Sequence, residues 1–341
     1  MYTFTTRGTL CNTPSPKCYL PRGAILPNRL PFVRAALANG ARGQIAPQDA
    51  AHQVRTYAAT NAVPRHLADN GAIAVLPFHG ISVQRTDALG EAFGLLSLAR
   101  FTQTFLAALA SDAVGGILID VDSPGGSVYG IAELVDEIFR ARARKPVFAV
   151  ANSLAASGAY WIGSAASEFY VTPGGEVGSI GVVTAHEDFS KALGKAGIQT
   201  TLIAAGKYKT EGNPFGPLGM DARRHVQERV NDYYRMFVGA VAKHRNVAES
   251  AVRNGMGQGR LLDGQRAKRE TMVDGVATFD DVVGRLAQRI SAGRTGTTSL
   301  RTNPLHARQR VTDAVGRAPS DKRLPAMNTA VHERVIELLS L

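Results

Sequence analysis

The sequence predicts an α/β fold with a mostly parallel sheet over residues 69–290. Three observations predict it. Gly116-Ile-Leu-Ile-Asp-Val121 is a nearly continuous apolar run of strand length, the pattern of a strand buried on both faces. Strands of this kind alternate with amphipathic helical stretches, as parallel strands joined by crossovers require. The strands also close on turn formers, with Pro77 and Gly80 after the first.

In chain order, Ala72–Leu76 reads as the first strand. Leu98–Leu109 reads as a helix, because Phe101, Phe105 and Leu109 recur four apart. The Gly116–Val121 strand runs into Asp122-Ser-Pro-Gly125-Gly126-Ser127. Ser127 is an N-cap candidate for a helix carrying Ile131, Leu134, Val135 and Ile138 on one face. Val147–Val150 is the next strand and Ser157–Ala166 the next helix, followed by short strands at Phe169–Val171 and Ile180–Val183. A helix near Phe189–Ala196 leads to a strand at Thr200–Ala204. Asp221 is then expected to cap a long helix whose stripe is Val226, Val230, Tyr233, Phe237 and Val241.

The two ends differ from this core. Of the net charge of +11, residues 1–68 supply +7, from eight Lys/Arg against Asp49 alone, and residues 291–341 supply +4. Residues 69–290 are therefore neutral. Basic arms on a neutral core point to an acidic protein partner, or simply to solubility, and not to a nucleic-acid-reading fold. The first segment holds an Ala-rich stretch from Ala35 to Ala51; the last reads as a flexible tail with one amphipathic stretch, Ala326–Leu341. Cys11 and Cys18 are spaced wrongly for a metal knuckle, so no metal is expected. No apolar run approaches the roughly 18–20 residues of a membrane helix. Pro14, Pro16 and Pro21 break the region a secretion signal would need. The expected location is cytoplasmic.

Chemistry concentrates at Ala155-Ala-Ser157-Gly-Ala-Tyr160 and Gly206-Lys-Tyr-Lys209. Ser157 stands where a strand hands over to a helix, with small neighbours that leave room for a substrate backbone. A serine hydroxyl attacks only when a base removes its proton. Lys209 is the candidate base, Lys207 its competitor, and His186 permits a histidine scheme instead. Gly125-Gly126, at the carboxyl end of a buried strand, suits a backbone N–H aimed at an oxyanion. No Lys-Ser/Thr follows to make a phosphate cradle, so no nucleotide cofactor is expected. Each feature has a plainer reading: Ser157 as an N-cap, the glycines as a tight turn, the lysines as solvated loop residues.

Taken together, Asp122-Ser-Pro-Gly-Gly-Ser-Val128, Ala155–Tyr160, Gly178-Ser179-Ile-Gly-Val-Val183 and Gly206-Lys-Tyr-Lys209-Thr-Glu-Gly-Asn-Pro214 resemble the signal peptide peptidase A (protease IV) family over about residues 70–285. Within it the chain looks most like bacteriophage head-maturation proteases. The resemblance implies a Clp-protease/crotonase-like ββα spiral, Ser157 as nucleophile and Lys209 as general base. It further implies that Ser179 orients the lysine and that Gly126 and Gly158 form the oxyanion hole. It also implies a homo-oligomeric ring, and capsid or scaffold proteins as substrates in a host cytoplasm or prohead. Three departures from the family are expected: a single copy of the domain, no membrane anchor, and only a loose match at Leu262–Ala267 and Met272–Asp274. The competing functions are a signal-peptide-degrading peptidase, an acyl-CoA enzyme on the same fold, and an inactive capsid-assembly protein.

Overall fold

The structure, a computed structural model, describes residues 23–25, 65–68 and 71–298. The Ala35–Ala51 stretch, both cysteines and the amphipathic stretch Ala326–Leu341 lie outside these residues.

The chain winds as repeated strand–strand–helix units. Strand β1 (Gly23–Ile25) and β2 (Arg65–Ala68) precede the first unit, which comprises β3 (Gly71–His79), β4 (Ile81–Val83), α1 (Ala88–Ala92), β5 (Leu95–Ser97) and α2 (Leu98–Ala110). The second is β6 (Val114–Ser123), β7 (Gly125–Ser127) and α3 (Ile131–Ala141). The third begins with β8 (Val147–Ala156) and α4 (Gly158–Ser164), followed by β9 (Glu168–Val171) and β10 (Glu176–Gly178). The remainder is α5 (Ser190–Lys195), α6 (Met220–Arg245), α7 (Glu249–Asn254), β11 (Leu261–Asp263), α8 (Gly264–Arg269), β12 (Gly275–Val276) and α9 (Phe279–Thr298).

Each long strand enters a large sheet of order β11-β10-β8-β6-β3-β2, to which β9 and β12 are added beside β8. The short strands β4, β5 and β7 turn instead into a small sheet of order β1-β7-β4-β5. The central pairings β3/β6, β6/β8, β8/β9 and β8/β10 are parallel, while β2 and β11 pair antiparallel at the edges. This is the ββα spiral expected from the resemblance.

Alternation along the strands sends side chains to two cores. Leu76, Phe78, Ile119 and Val121 meet α2, α3, α4 and α6 on one face; Ile73, Val75, Leu118 and Phe148 meet Val282, Leu286 and Ile290 of α9 on the other. The four-apart stripe of α2 is buried as expected, with Phe101 edge-on to Phe78 at 5.1 Å. Burial of side chains such as Phe105 contributes roughly 1.5–3 kcal/mol each. Gly116 lets α9 close on β6: a Cβ there would come 3.0 Å from both Ile290 and Leu286.

Several local expectations need correction. Ser127 does not cap α3; it lies in β7, its oxygen accepts the Tyr129 N–H, and the helix starts after Gly130, whose φ of 85° makes the turn. Ser97, by contrast, caps α2 by accepting from Arg100 N–H. Asp221 sits inside the first turn of α6 and pairs with Arg224, and the cap position is Gly219. The strand expected at Ile180–Val183 instead ends at Gly178, because Gly178 and Ser179 take φ values of 130° and 54° and turn the chain out of the ladder. Thr200–Ala204 joins no sheet, and Ile203 is 96% exposed. Regular structure continues past Ile290, since α9 reaches Thr298. Among the described residues, no helix is long and apolar enough to cross a membrane.

Candidate active site

Ser157 is the single residue between β8 and α4. Its backbone takes φ 54°, ψ −120°, a region that residues with a Cβ rarely enter and that costs about 1–3 kcal/mol. Strong local bonding holds it there. Its N–H donates to Gly178 O at 2.7 Å, and its carbonyl accepts from Trp161 N–H at 3.0 Å. All seven residues of α4 are buried. Tyr160 Oη donates to Met272 O at 3.1 Å, and Trp161 stacks on Phe237 with 4.6 Å between ring centroids. A strained serine on a sharp strand-to-helix turn is the arrangement that presents a hydroxyl for attack. The N-cap reading fails here, because the side chain makes no capping bond. Its Oγ instead lies 3.4 Å from Gly181 O, a long and weak contact.

Ser179 is placed beside it by register. Gly178 pairs with Ala156 in the parallel β8/β10 ladder, so the next residues, Ser179 and Ser157, leave the sheet side by side. Both have φ 54°. Ser179 N–H donates to Arg260 O at 2.9 Å, while its hydroxyl makes no hydrogen bond among the described residues. Gly178 is required by the same approach, since a Cβ would sit 2.6 Å from Arg260 O.

The glycine turn borders the serine from the other side, with β7 packed on α4. Ser123 Oγ donates to Gly80 O at 2.6 Å and accepts Gly125 N–H at 3.1 Å, fixing the turn. A Cβ on Gly126 would lie 1.9 Å from Ser82 O, so no other residue lets β7 lie this close to β4. Gly158 opens α4, where its N–H has no intrahelical acceptor.

The candidate bases are elsewhere. His186 Nε2 donates to Gly216 O at 3.2 Å. Lys207 Nζ lies over the Tyr208 ring at 4.9 Å. Lys209 is exposed, and its side chain makes no hydrogen bond or ion pair among the described residues. The structure thus brings Ser157, Ser179, Gly126 and Gly158 to one end of the sheet and leaves Lys209 and His186 on the arm that follows β10. Among the described residues, no cluster of His, Cys, Asp and Glu could hold a metal.

A polar shelf escaped the sequence reading. His79 Nε2 lies 3.1 Å from Asp120 Oδ2, and this hydrogen bond raises the histidine above its ordinary pKa. Ser153 Oγ donates to Asp122 Oδ1 at 2.7 Å. The signal was Asp120 itself, an acid inside the otherwise apolar run Gly116–Val121.

Residues 140–292 match the model of Peptidase family S49. The chain is 34% identical over 253 residues to the capsid assembly protease C of Escherichia phage lambda, covering 72% of this chain and 55% of that one. It is 32% identical over 226 residues to the head-tail preconnector protein GP5 of Enterobacteria phage P21, covering 66% and 45%. A putative signal peptide peptidase SppA of Enterococcus faecium is 31% identical over 175 residues, 51% of each chain. The chain spans about half the length of these relatives. The matched segment contains the serine turn, β10 and the arm bearing Lys209, so residues 140–292 are similar to peptidase family S49.

Proposed function

We propose that the chain is a serine endopeptidase in which Ser157 attacks the scissile carbonyl and Lys209 is the general base. The observation that carries this reading is the strained backbone of Ser157, held by a fully buried helix while its hydroxyl stays out of any cap. Strain of this kind persists only where the surrounding fold over-determines it, and it concentrates at sites of chemistry. As Ser157 Oγ bonds to the carbonyl carbon, its proton passes to the lysine amine, which later returns it to the leaving amine. The N–H groups of Gly126 and Gly158 stabilise the tetrahedral oxyanion, and the Ser179 hydroxyl orients the lysine.

A lysine amine accepts a proton only when neutral, a form that desolvation favours. Lys209 is exposed in the single chain. The reading therefore includes a homo-oligomer in which the arm of one copy docks on another and carries Lys209 to the neighbouring Ser157. The exposed side chains of Phe189, Ile198, Leu202, Ile203 and Tyr208 on this arm support it. The proposed substrates are capsid or scaffold proteins of a phage head, a reading supported by the phage lambda relative's name, capsid assembly protease C. The proposed place of action is the host cytoplasm or the prohead. The tail of residues 291–341, of which 299–341 lie outside the described residues, is proposed to recruit these substrates.

An active-site serine probe tests the core of the reading. Labelling that maps to Ser157, and is lost in Ser157→Ala together with peptide hydrolysis, is the expected result. A folded Ser157→Ala protein that still cleaves peptide would refute it.

A further inference from the structure

In the small sheet, β7 has β4 on one side and β1 on the other. The β1/β7 pairing is antiparallel and sets Gly23 opposite Ser127, Ala24 opposite Gly126 and Ile25 opposite Gly125. Without β1, β7 would be an edge strand with a free row of N–H and C=O groups. That edge belongs to the glycine turn, and β7 packs on the helix that begins directly after Ser157. A peptidase must hold its substrate extended, so that one carbonyl meets nucleophile and oxyanion donors together. Adding a strand to a free sheet edge is the general way to hold an extended peptide through its main chain.

Here the edge is already taken, and Ser157 retains only 1% of its surface exposed. A substrate strand can pair with this edge only after the resident strand leaves it. We propose that the outer edge of β7 is the substrate-binding edge, taking an extended peptide antiparallel, and that residues 23–25 occupy it as a resident strand that substrate must displace. The proposal rests on the peptidase reading above and adds its regulation.

The sequence of the segment suits a reversible occupant. Pro21 and Pro27 bracket Gly23-Ala24-Ile25. Proline donates no N–H and ends a ladder, so the pairing is confined to a few residues. Gly23 and Ala24 also have little or no side chain to anchor elsewhere. A three-residue strand tethered to the same molecule competes through its high local concentration and not through many contacts. The apparent affinity for substrate then scales with the fraction of molecules whose β7 edge is free.

The test uses full-length protein. In a Ser157→Ala background, which removes turnover, a fluorescently labelled peptide of residues 19–29 is titrated and followed by anisotropy. The same titration is made with Ala24→Pro and with Ile25→Pro added. Successive residues of a strand aim their N–H groups to opposite sides, so one of the two prolines removes a donor that faces β7. That variant is expected to bind the peptide several-fold more tightly. With Ser157 restored, it is expected to hydrolyse a short peptide with a several-fold lower KM and unchanged kcat. Equal peptide affinity in all three proteins overturns the proposal. If every protein is inert to peptide and to a serine probe, the peptidase reading fails by itself, while the binding arm still decides whether the β7 edge exchanges its occupant.

Discussion

All seven residues of α4 are buried, whereas α5, only one residue shorter, buries none. The two helices introduce the two halves of the proposed dyad: α4 follows Ser157, and α5 lies on the arm that leads to Lys209. Around Ser157, strands, helices and hydrogen bonds converge until one strained conformation is the only one available. Along the arm, Phe189 N–H bonds Pro214 O and His186 bonds Gly216 O, so the segment folds back on itself and not on the core. Six large apolar side chains between Val183 and Tyr208 stay exposed there. A nucleophile must be aimed before substrate arrives, which demands a rigid scaffold. A base delivered by a neighbouring copy demands a surface that is left open until assembly. On the proposed reading, the difference between the two regions separates what the fold must hold from what assembly must bring.

The largest expected effect breaks the comparison at the arm. Lys209→Ala should lose roughly a hundred- to ten-thousandfold in kcat, the range of general-base contributions, with unchanged thermal unfolding. Lys207→Ala and His186→Ala should remain active. Mixing the inactive Ser157→Ala and Lys209→Ala proteins should restore turnover, since hybrid contacts pair an intact serine with an intact lysine. An inactive His186→Ala beside an active Lys209→Ala would install the histidine scheme instead.

On the core side the readout is stability. Trp161 is buried and stacked on Phe237. Trp161→Ala should cost about 3–5 kcal/mol in chemical denaturation, from lost burial and the cavity left behind. His244 sharpens the same contrast through pH. It is buried against Phe139, with Nδ1 3.1 Å from Ser164 Oγ. Burial, aided by the charges of Lys243 and Arg142, lowers its pKa to about 4 from 6.5. The unfolded chain thus binds a proton that the folded chain refuses, so the contribution is complete above pH 6.5 and is lost as pH falls towards 4. The loss is on the order of 3 kcal/mol. Denaturation across this window, compared with His244→Asn, should show the wild type losing more stability than the variant; parallel curves would remove His244 as the cause.

Much of this was legible in the sequence where burial imposes a period. The β6 run and the Phe101–Phe105–Leu109 stripe could be read because each residue there faces a core. The serine turn was visible in its small neighbours, although nothing in Ala-Ala-Ser-Gly announces a φ of 54°, which the Gly178 carbonyl and the packing of α4 impose together. Caps were misplaced where the turn before a helix decides them, as Gly130 does for α3. Thr200–Ala204 has strand-like composition, yet a strand exists only with a partner, and within one chain this segment has none in any sheet of the described residues. β1 was illegible for the opposite reason. Three residues are too few to carry a periodic signal, and only the edge of β7 makes them a strand.

The smallest effect on the single chain tests the arm as an interface. Ile203 is almost fully exposed and touches no core. Replacing it by serine removes no buried contact, so Ile203→Ser should change unfolding free energy by less than about 0.5 kcal/mol, as surface substitutions do. If the arm is the assembly surface, the same change deletes an apolar contact between copies, and sedimentation should show a shift towards smaller species. Activity should fall in step with that shift and recover as protein concentration is raised, because mass action refills the assembled state. An Ile203→Ser protein with wild-type sedimentation and wild-type activity at every concentration would mean that the arm is not the contact between copies, and Lys209 would have to reach Ser157 within its own chain.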